Sequence, residues 1–176
     1  MPEYLIANDR IGLRLLEEAD VTDRYLKWFA DEDITRFLSA KNLSKSDVIE
    51  HLKLGRSTGN FEMLAICDLE TNMHIGNLKV GPIDWDNRTA DLPIVIGDKR
   101  FQGKGLAGEA VDLGSVYAFK NLSVRKVCGS VISGNKASLA CYKKGGWHIE
   151  GIIPEQYDMD GVIYDEVFIA RYARNG

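Results

Sequence analysis

The sequence predicts a mixed α/β domain with one mostly antiparallel central sheet of about seven strands, flanked by helices. Three observations carry that expectation. Strand-like and helix-like segments follow in the order strand, two helices, three strands, helix, strand, helix, two strands. No Pro- or Ser-rich linker, repeat or low-complexity stretch divides residues 1–176, so a single domain is expected. And 176 residues are enough to bury a continuous core without metals or cross-links.

Asn8-Asp9 offers a turn, and Ile11-Gly12-Leu13-Arg14-Leu15 alternates apolar with small or polar residues, as a half-buried strand does. From Asp20 to Ala30, Val21, Tyr25 and Trp28 recur at helical spacing, with Asp20 as the expected cap. A second helix is predicted from Ser44 or Ser46 to Leu54. Phe61 to Cys67, Ile75 to Val80 and Arg88 to Ile96 read as an antiparallel meander, punctuated by Thr71-Asn72 and by the cluster from Asp84 to Asn87. Leu106, Ala110, Leu113 and Tyr117 recur as on a helix. A strand at Lys126 to Ile132, a helix from Lys136 to Lys144 and two strands about the Asp160-Gly161 turn complete the order.

Composition narrows the function classes. Hydrophobic residues make up 45% and charged residues 27%, and no apolar run approaches the roughly 20 residues that span a bilayer. The opening Met1-Pro2-Glu3-Tyr4 lacks the basic-then-apolar pattern of an export signal, so a cytoplasmic location with no membrane partner is expected. A net charge of −4 argues against nucleic acid and leans toward a cationic or amine partner, although so small an excess steers weakly at physiological salt. Cys67, Cys128 and Cys141 are odd in number and lack C-x-x-C spacing, with only His51, His74 and His148 as co-ligands. Neither a disulfide framework nor a metal site is expected.

The stretch Gln102-Gly103-Lys104-Gly105-Leu106-Ala107 sits between a strand and a helix. There, main-chain N–H groups without helical partners can converge on an anion, and glycines let the chain approach it closely. Taken alone, such a hexapeptide fits a purely geometric strand-to-helix turn equally well. Gly103-x-Gly105-x-x-Gly108 also matches the dinucleotide pattern. That fingerprint, however, requires a parallel βαβ unit with a carboxylate at the end of the next strand, where this chain has Val131-Ile132-Ser133-Gly134. An ATP-type loop requires a hydroxyl after its lysine, and Lys104 is followed by Gly105.

About 30 residues on, Asn135, Ser138 and Tyr142 share one face of the helix that leads into Lys144-Gly145-Gly146-Trp147. By itself this stripe reads as a solvated face with a half-buried tyrosine. The two segments, in this order, resemble the GNAT superfamily of N-acetyltransferases, whose coenzyme A loop has the form [RQ]-x-x-G-x-[GA]; Gln102, Gly105 and Ala107 hold those positions. Gly108-Glu109-Ala110, the later Asn135, Ser138, Lys144, Gly146 and Trp147, the opening Ile11 to Leu15 with Ala19-Asp20, and Asp165 are similar to the branch that acetylates ribosomal-protein N-termini.

The resemblance implies a GNAT-type sheet splayed between its fourth and fifth strands and acetyl-coenzyme A (acetyl-CoA) as cosubstrate. Pantetheine would lie along Val95, Ile96 and Gly97, and the pyrophosphate on the amides of Gln102, Gly103, Lys104, Gly105, Leu106 and Ala107. Asn135 would meet the pantetheine arm and Lys144 the nucleotide end; as residues, Asn135 also suits a helix cap and Lys144 a solvated C-terminal position. The expected partner is a small-molecule or peptide amine, such as a protein N-terminus, and a homodimer is among the assemblies the resemblance allows. Amino sugars, polyamines and antibiotic amines stand as alternative acceptors, and a non-catalytic coenzyme A-binding module as an alternative role.

Acetyl transfer needs a neutral amine, a partner for the oxyanion and a proton for the departing thiolate. Tyr142 matches the family's general-acid position, and an N–H of Val95 or Ile96 would polarise the thioester carbonyl. As base the sequence offers Asp91, or water relaying a proton to Asp91 or Glu62. The related branch often carries Glu one place after Asp91, where this chain has Leu92. An α-amino group, with its pKa near 8, needs little help from a base.

Overall fold

A short ribbon of β1 (Ile6–Ala7) and β2 (Ile11–Leu15) opens the chain in the computed structural model, which describes residues 3–173. The Asn8 carboxamide oxygen accepts from the N–H groups of Arg10 and Ile11 (both 2.9 Å) and fixes the turn. The first helix, α1 (Asp23–Ala30), is capped by Thr22, whose hydroxyl accepts from Tyr25 N–H, and not by Asp20 as the sequence suggested. Asp20 is drawn away by the Arg14 guanidinium, which meets both its oxygens at 2.6 and 2.7 Å. After the single turn α2 (Glu32–Thr35), α3 (Lys45–Thr58) starts at Ser44 in a capping box with Asp47. It runs past the expected Leu54 until Gly59 closes it in the left-handed conformation.

Next come β3 (Glu62–Asp68) and β4 (His74–Val80), followed by a small β5 (Ile83–Asp84). The stretch expected as one strand from Arg88 to Ile96 is broken into β6 (Thr89–Asp91) and β7 (Ile94–Ile96). Pro93, which has no N–H to give a ladder, stands at the break. Then follow α4 (Leu106–Asn121), β8 (Lys126–Ile132), α5 (Lys136–Lys144) and the long hairpin of β9 (His148–Met159) and β10 (Val162–Tyr172).

Because β6 and β7 choose different neighbours, the sheet parts in two. One half has the order β1-β2-β3-β4-β7 and the other β5-β6-β8-β10-β9. The β6–β8 pair is parallel and every other pair antiparallel. In β3 the alternation sorts the two cores. Leu64 and Ile66 pack under α4 and α5 with Val111, Tyr117 and Trp147, while Ala65 and Cys67 face α1 and α3 with Tyr25, Trp28 and Leu52. Each large apolar side chain buried there contributes about 1.5–3 kcal/mol, which holds both helical layers on the sheet and so fixes the parting between them.

Candidate active site

The parting is a fork whose edges can be read from the hydrogen-bond pattern. Leu92 N–H donates to Cys128 carbonyl at 3.1 Å, the last main-chain bond between the two halves there. A parallel ladder would next bring Ser130 N–H to the Leu92 carbonyl. The Tyr142 hydroxyl takes that place instead, donating to Leu92 O at 2.8 Å, so the phenol is a wedge at the apex. Trp147 packs edge-on against the Tyr142 ring, with centroids 4.8 Å apart. Burial pushes the phenol's pKa up, helped by the neighbouring Cys141 and Asp91, so it stays protonated well into alkaline solution.

Beyond the apex, strand alternation decides which groups face the gap. Gly97 N–H donates to Ile75 O (3.0 Å) and Lys79 N–H to Pro93 O (3.0 Å), and Asn77 opposes Val95 between them. The main-chain groups of Val95 and Gly97 are therefore turned toward β4, whereas those of Ile94 and Ile96 point into the gap. Ile94 was not among the residues singled out from sequence. Without pairing partners, the pleat of an isolated strand has no inside edge. Gly97 serves sterically, because any Cβ there would overlap the Trp28 indole.

After Ile96 the chain turns over Asp98 into the glycine-rich loop. Gln102 Nε2 donates to Ile96 O at 2.8 Å, and Gly103 and Gly105 take φ of 73° and 81°, which side chains rarely adopt. Among the described residues, the N–H groups of Gly103, Lys104, Gly105, Leu106 and Ala107 have no acceptor within the protein. Leu106 is buried and anchors the first turn of α4, so these donors converge beside the fork at the positive end of a 16-residue helix. The turn between β1 and β2 braces the loop from behind. Arg10 bonds the Lys104 carbonyl (3.2 Å) and the Glu109 carboxylate, which also accepts from Asn8 (3.0 Å). Nothing local marks Arg10 for this task; the contact spans 94 residues.

Asp98 stiffens the approach. Its carboxylate accepts from the Arg100 N–H (3.1 Å), Nε (3.0 Å) and guanidinium terminus (2.6 Å), and Arg24 lies 3.7 Å away. These bonds, Arg100 foremost, hold its pKa below the ordinary carboxylate value. A carboxylate of depressed pKa stabilises the fold above the ordinary range and loses that effect as pH falls through its folded value. Asp98→Asn is expected to lower the Tm by about 2–6 °C at neutral pH. The gap should close as melting is followed below about pH 4.

On α5, Asn135 caps the helix, its oxygen accepting from Ser138 N–H at 3.1 Å, which leaves Nδ2 as its remaining donor. Lys144 is exposed at the other end. The turn carrying it packs on the start of α4, where a Cβ added at Gly108 would make ordinary contact with Lys144 Cβ at 3.7 Å. Cys141 is held as a thiol, burial raising its pKa to about 11.

On the α1 and α3 side of the sheet lies a cavity of about 530 Å³ whose floor includes Pro93, Ile94 and Val95, directly behind the fork. Lys79 and Asn77 enter from β4, and His51 and Asp47 from α3. Lys79 Nζ stands 4.1 Å from the Phe61 ring centroid, and His51 is stacked on that ring at 4.3 Å. Asp91 lies on the same face of its strand as Pro93 and Val95. It accepts a 3.4 Å contact from the Cys128 thiol, whose pKa burial and Asp91 push up to about 11. Glu62 is not on this face: it accepts from the Tyr117 hydroxyl at 2.8 Å beneath α4, away from the cavity. Among the described residues, no cluster of His, Cys, Asp and Glu could hold a metal, and no helix is long and apolar enough to cross a membrane.

A family model described as an acetyltransferase (GNAT) domain matches residues 10–148, well over half of the 176-residue chain. The chain belongs to the GNAT acetyltransferase family. Its forked sheet is thus that of a GNAT domain. An N-acetyltransferase 9-like protein of Caenorhabditis briggsae is 28% identical over 131 residues, 69% of this chain and 66% of that protein, so the chain spans about two thirds of its relative's length. Two solved GNAT structures share the fold. A spermidine N-acetyltransferase from Vibrio cholerae, in complex with CoA and spermine, matches with a TM-score of 0.83 at 21% identity, over 94% of this chain and 96% of that one. A ribosomal-protein-S5-alanine acetyltransferase from Vibrio fischeri matches with a TM-score of 0.81 at 15% identity, over 97% of each. A polyamine enzyme and a ribosomal-protein enzyme fit this GNAT fold about equally well, so the fold by itself selects no acceptor.

Proposed function

We propose that this protein transfers an acetyl group from acetyl-CoA to a primary amine by direct attack within a ternary complex, a protein N-terminal α-amino group being one such acceptor. The observation that carries this reading is the continuity of three features: unpaired amides from Gly103 to Ala107, the gap-facing edge of Ile94 and Ile96, and a cavity behind them. The amides suit a diphosphate and the strand edge suits the amide groups of pantetheine, which would add as a short extra strand; Asn135 Nδ2 would meet the pantetheine arm and Lys144 the nucleotide end. Bound acetyl-CoA supplies the activated acyl group and a thiolate leaving group.

The chain's own groups divide the remaining work. An N–H of Ile94 or Ile96, not the inward-turned Val95, would polarise the acyl carbonyl. The amine nitrogen forms its bond to the acyl carbon from the cavity side, and the carbon–sulfur bond breaks toward the fork. Tyr142 holds the proton for the leaving sulfur; rotation about its Cζ–O bond redirects that proton from the Leu92 carbonyl into the gap. The proton lost by the amine goes to water, with Asp91, on the same face of its strand as Pro93 and Val95, as the carboxylate that would receive it. Thiol release from acetyl-CoA in the presence of an amine panel tests the reading. Amine-dependent release supports it, and binding of acetyl-CoA with release by no amine contradicts it in favour of a non-catalytic binding module.

A further inference from the structure

The cavity behind the fork narrows the acceptor, on the reading that this chain is an acetyltransferase. Its walls are chiefly apolar: Phe29, Leu38 and Leu43 on one side, Met63 and Val48 on another. A polycation would need several carboxylates there, and among the described residues that line the cavity Asp47 is the one carboxylate, with Asp91 outside the lining. Asp47 is held in the α3 capping box, its oxygen bonded to Ser44 N–H (2.9 Å) and hydroxyl (2.6 Å). Asp91 takes the Cys128 thiol and faces Lys79.

Lys79 itself puts an ammonium group in the wall, propped over Phe61, with the stacked His51 behind the ring. Burial works against that charge while Asp91 favours it. A second positive charge carried by an acceptor would meet this ammonium in a partly desolvated space, where like charges repel strongly. An apolar body would instead gain by covering the wall.

We infer that the acceptor is an amine with a bulky apolar body and no second positive charge, and that Lys79 is the residue that turns polyamines away. An apolar first residue of a peptide and an arylalkylamine share this chemistry, and the arms of the test separate them.

The test measures kcat/KM for four acceptors: a peptide beginning with Phe, a peptide beginning with Ser, phenethylamine and spermidine. Wild type, Lys79→Met and Lys79→Glu are compared, each checked for acetyl-CoA binding as a mark of the intact fold. Wild type is expected to favour the Phe peptide or phenethylamine over spermidine by at least about tenfold, and Lys79→Glu to shift that ratio toward spermidine by about tenfold, with Lys79→Met between. Whichever of the two apolar acceptors leads names the source. Leu43→Trp, which fills the cavity, is expected to raise KM for the bulky acceptors about fivefold more than for the Ser peptide. A wild-type preference for spermidine, or a ratio within twofold of wild type in both Lys79 variants, overturns this inference alone. Thiol release with none of the four overturns the acetyltransferase reading with it.

Discussion

Gly105→Val is expected to raise the Kd for acetyl-CoA by about 10- to 100-fold while the fold survives. Gly105 is the N-cap of α4 at φ 81°, a conformation that costs other L-residues about 1–2 kcal/mol and a β-branched residue more. Relief of that strain swings the first amides of α4 away from their common focus. Each hydrogen bond between such an amide and a charged oxygen contributes about 1.5–3 kcal/mol, so losing one gives the stated range. The space where a Cβ would sit is open within the protein, so the effect does not come from a clash with the core. Gly105→Asn is the matched control, because Asn tolerates the left-handed region; its Kd should stay within about threefold. Calorimetric titration of both variants reads the contrast, and equal affinities would mean that the loop's geometry does not serve an anion.

Tyr142→Phe is expected to lower kcat by about 100-fold or more while acetyl-CoA affinity stays within about threefold. The same substitution leaves the Leu92 carbonyl without its donor at the apex of the fork, costing about 1–3 kcal/mol and lowering the Tm by about 2–10 °C. The two readouts separate the roles. If the phenol only wedges the sheet, the Tm falls and kcat, measured well below the melting range, does not. If it also supplies the proton, kcat falls at every temperature at which the variant is folded.

Local signals were the ones legible in the sequence. The glycine-rich junction and the helix from Lys136 to Lys144 stand where they were read, because turn chemistry and a 3.6-residue period are written in neighbouring residues. The exchange of Thr22 for Asp20 as helix cap shows the limit. Both residues suit a cap, and the choice was made by Arg14, a partner whose position depends on the strand before it. The fork was expected only through the family resemblance. The break at Pro93, between β6 and β7, gains meaning only once Thr89–Asp91 has β8 as a neighbour and Ile94–Ile96 has β4. Likewise, which of Ile94, Val95 and Ile96 faces the gap is a matter of register, and Arg10, Asp98 and Lys79 act through contacts that no spacing rule anticipates.

In the proposed reaction the main-chain donors at the start of α4 and along β7 together receive one extended cosubstrate. Titration of acetyl-CoA into isotope-labelled protein, followed through individual amide resonances, tests this most directly. The predicted result is saturable displacement largest for Gly103, Lys104, Gly105, Leu106 and Ala107, accompanied by Ile94 and Ile96, with Val95 and Gly97 moving less. Saturable binding that leaves the Gly103 to Ala107 amides unmoved, or no binding at all, would contradict it.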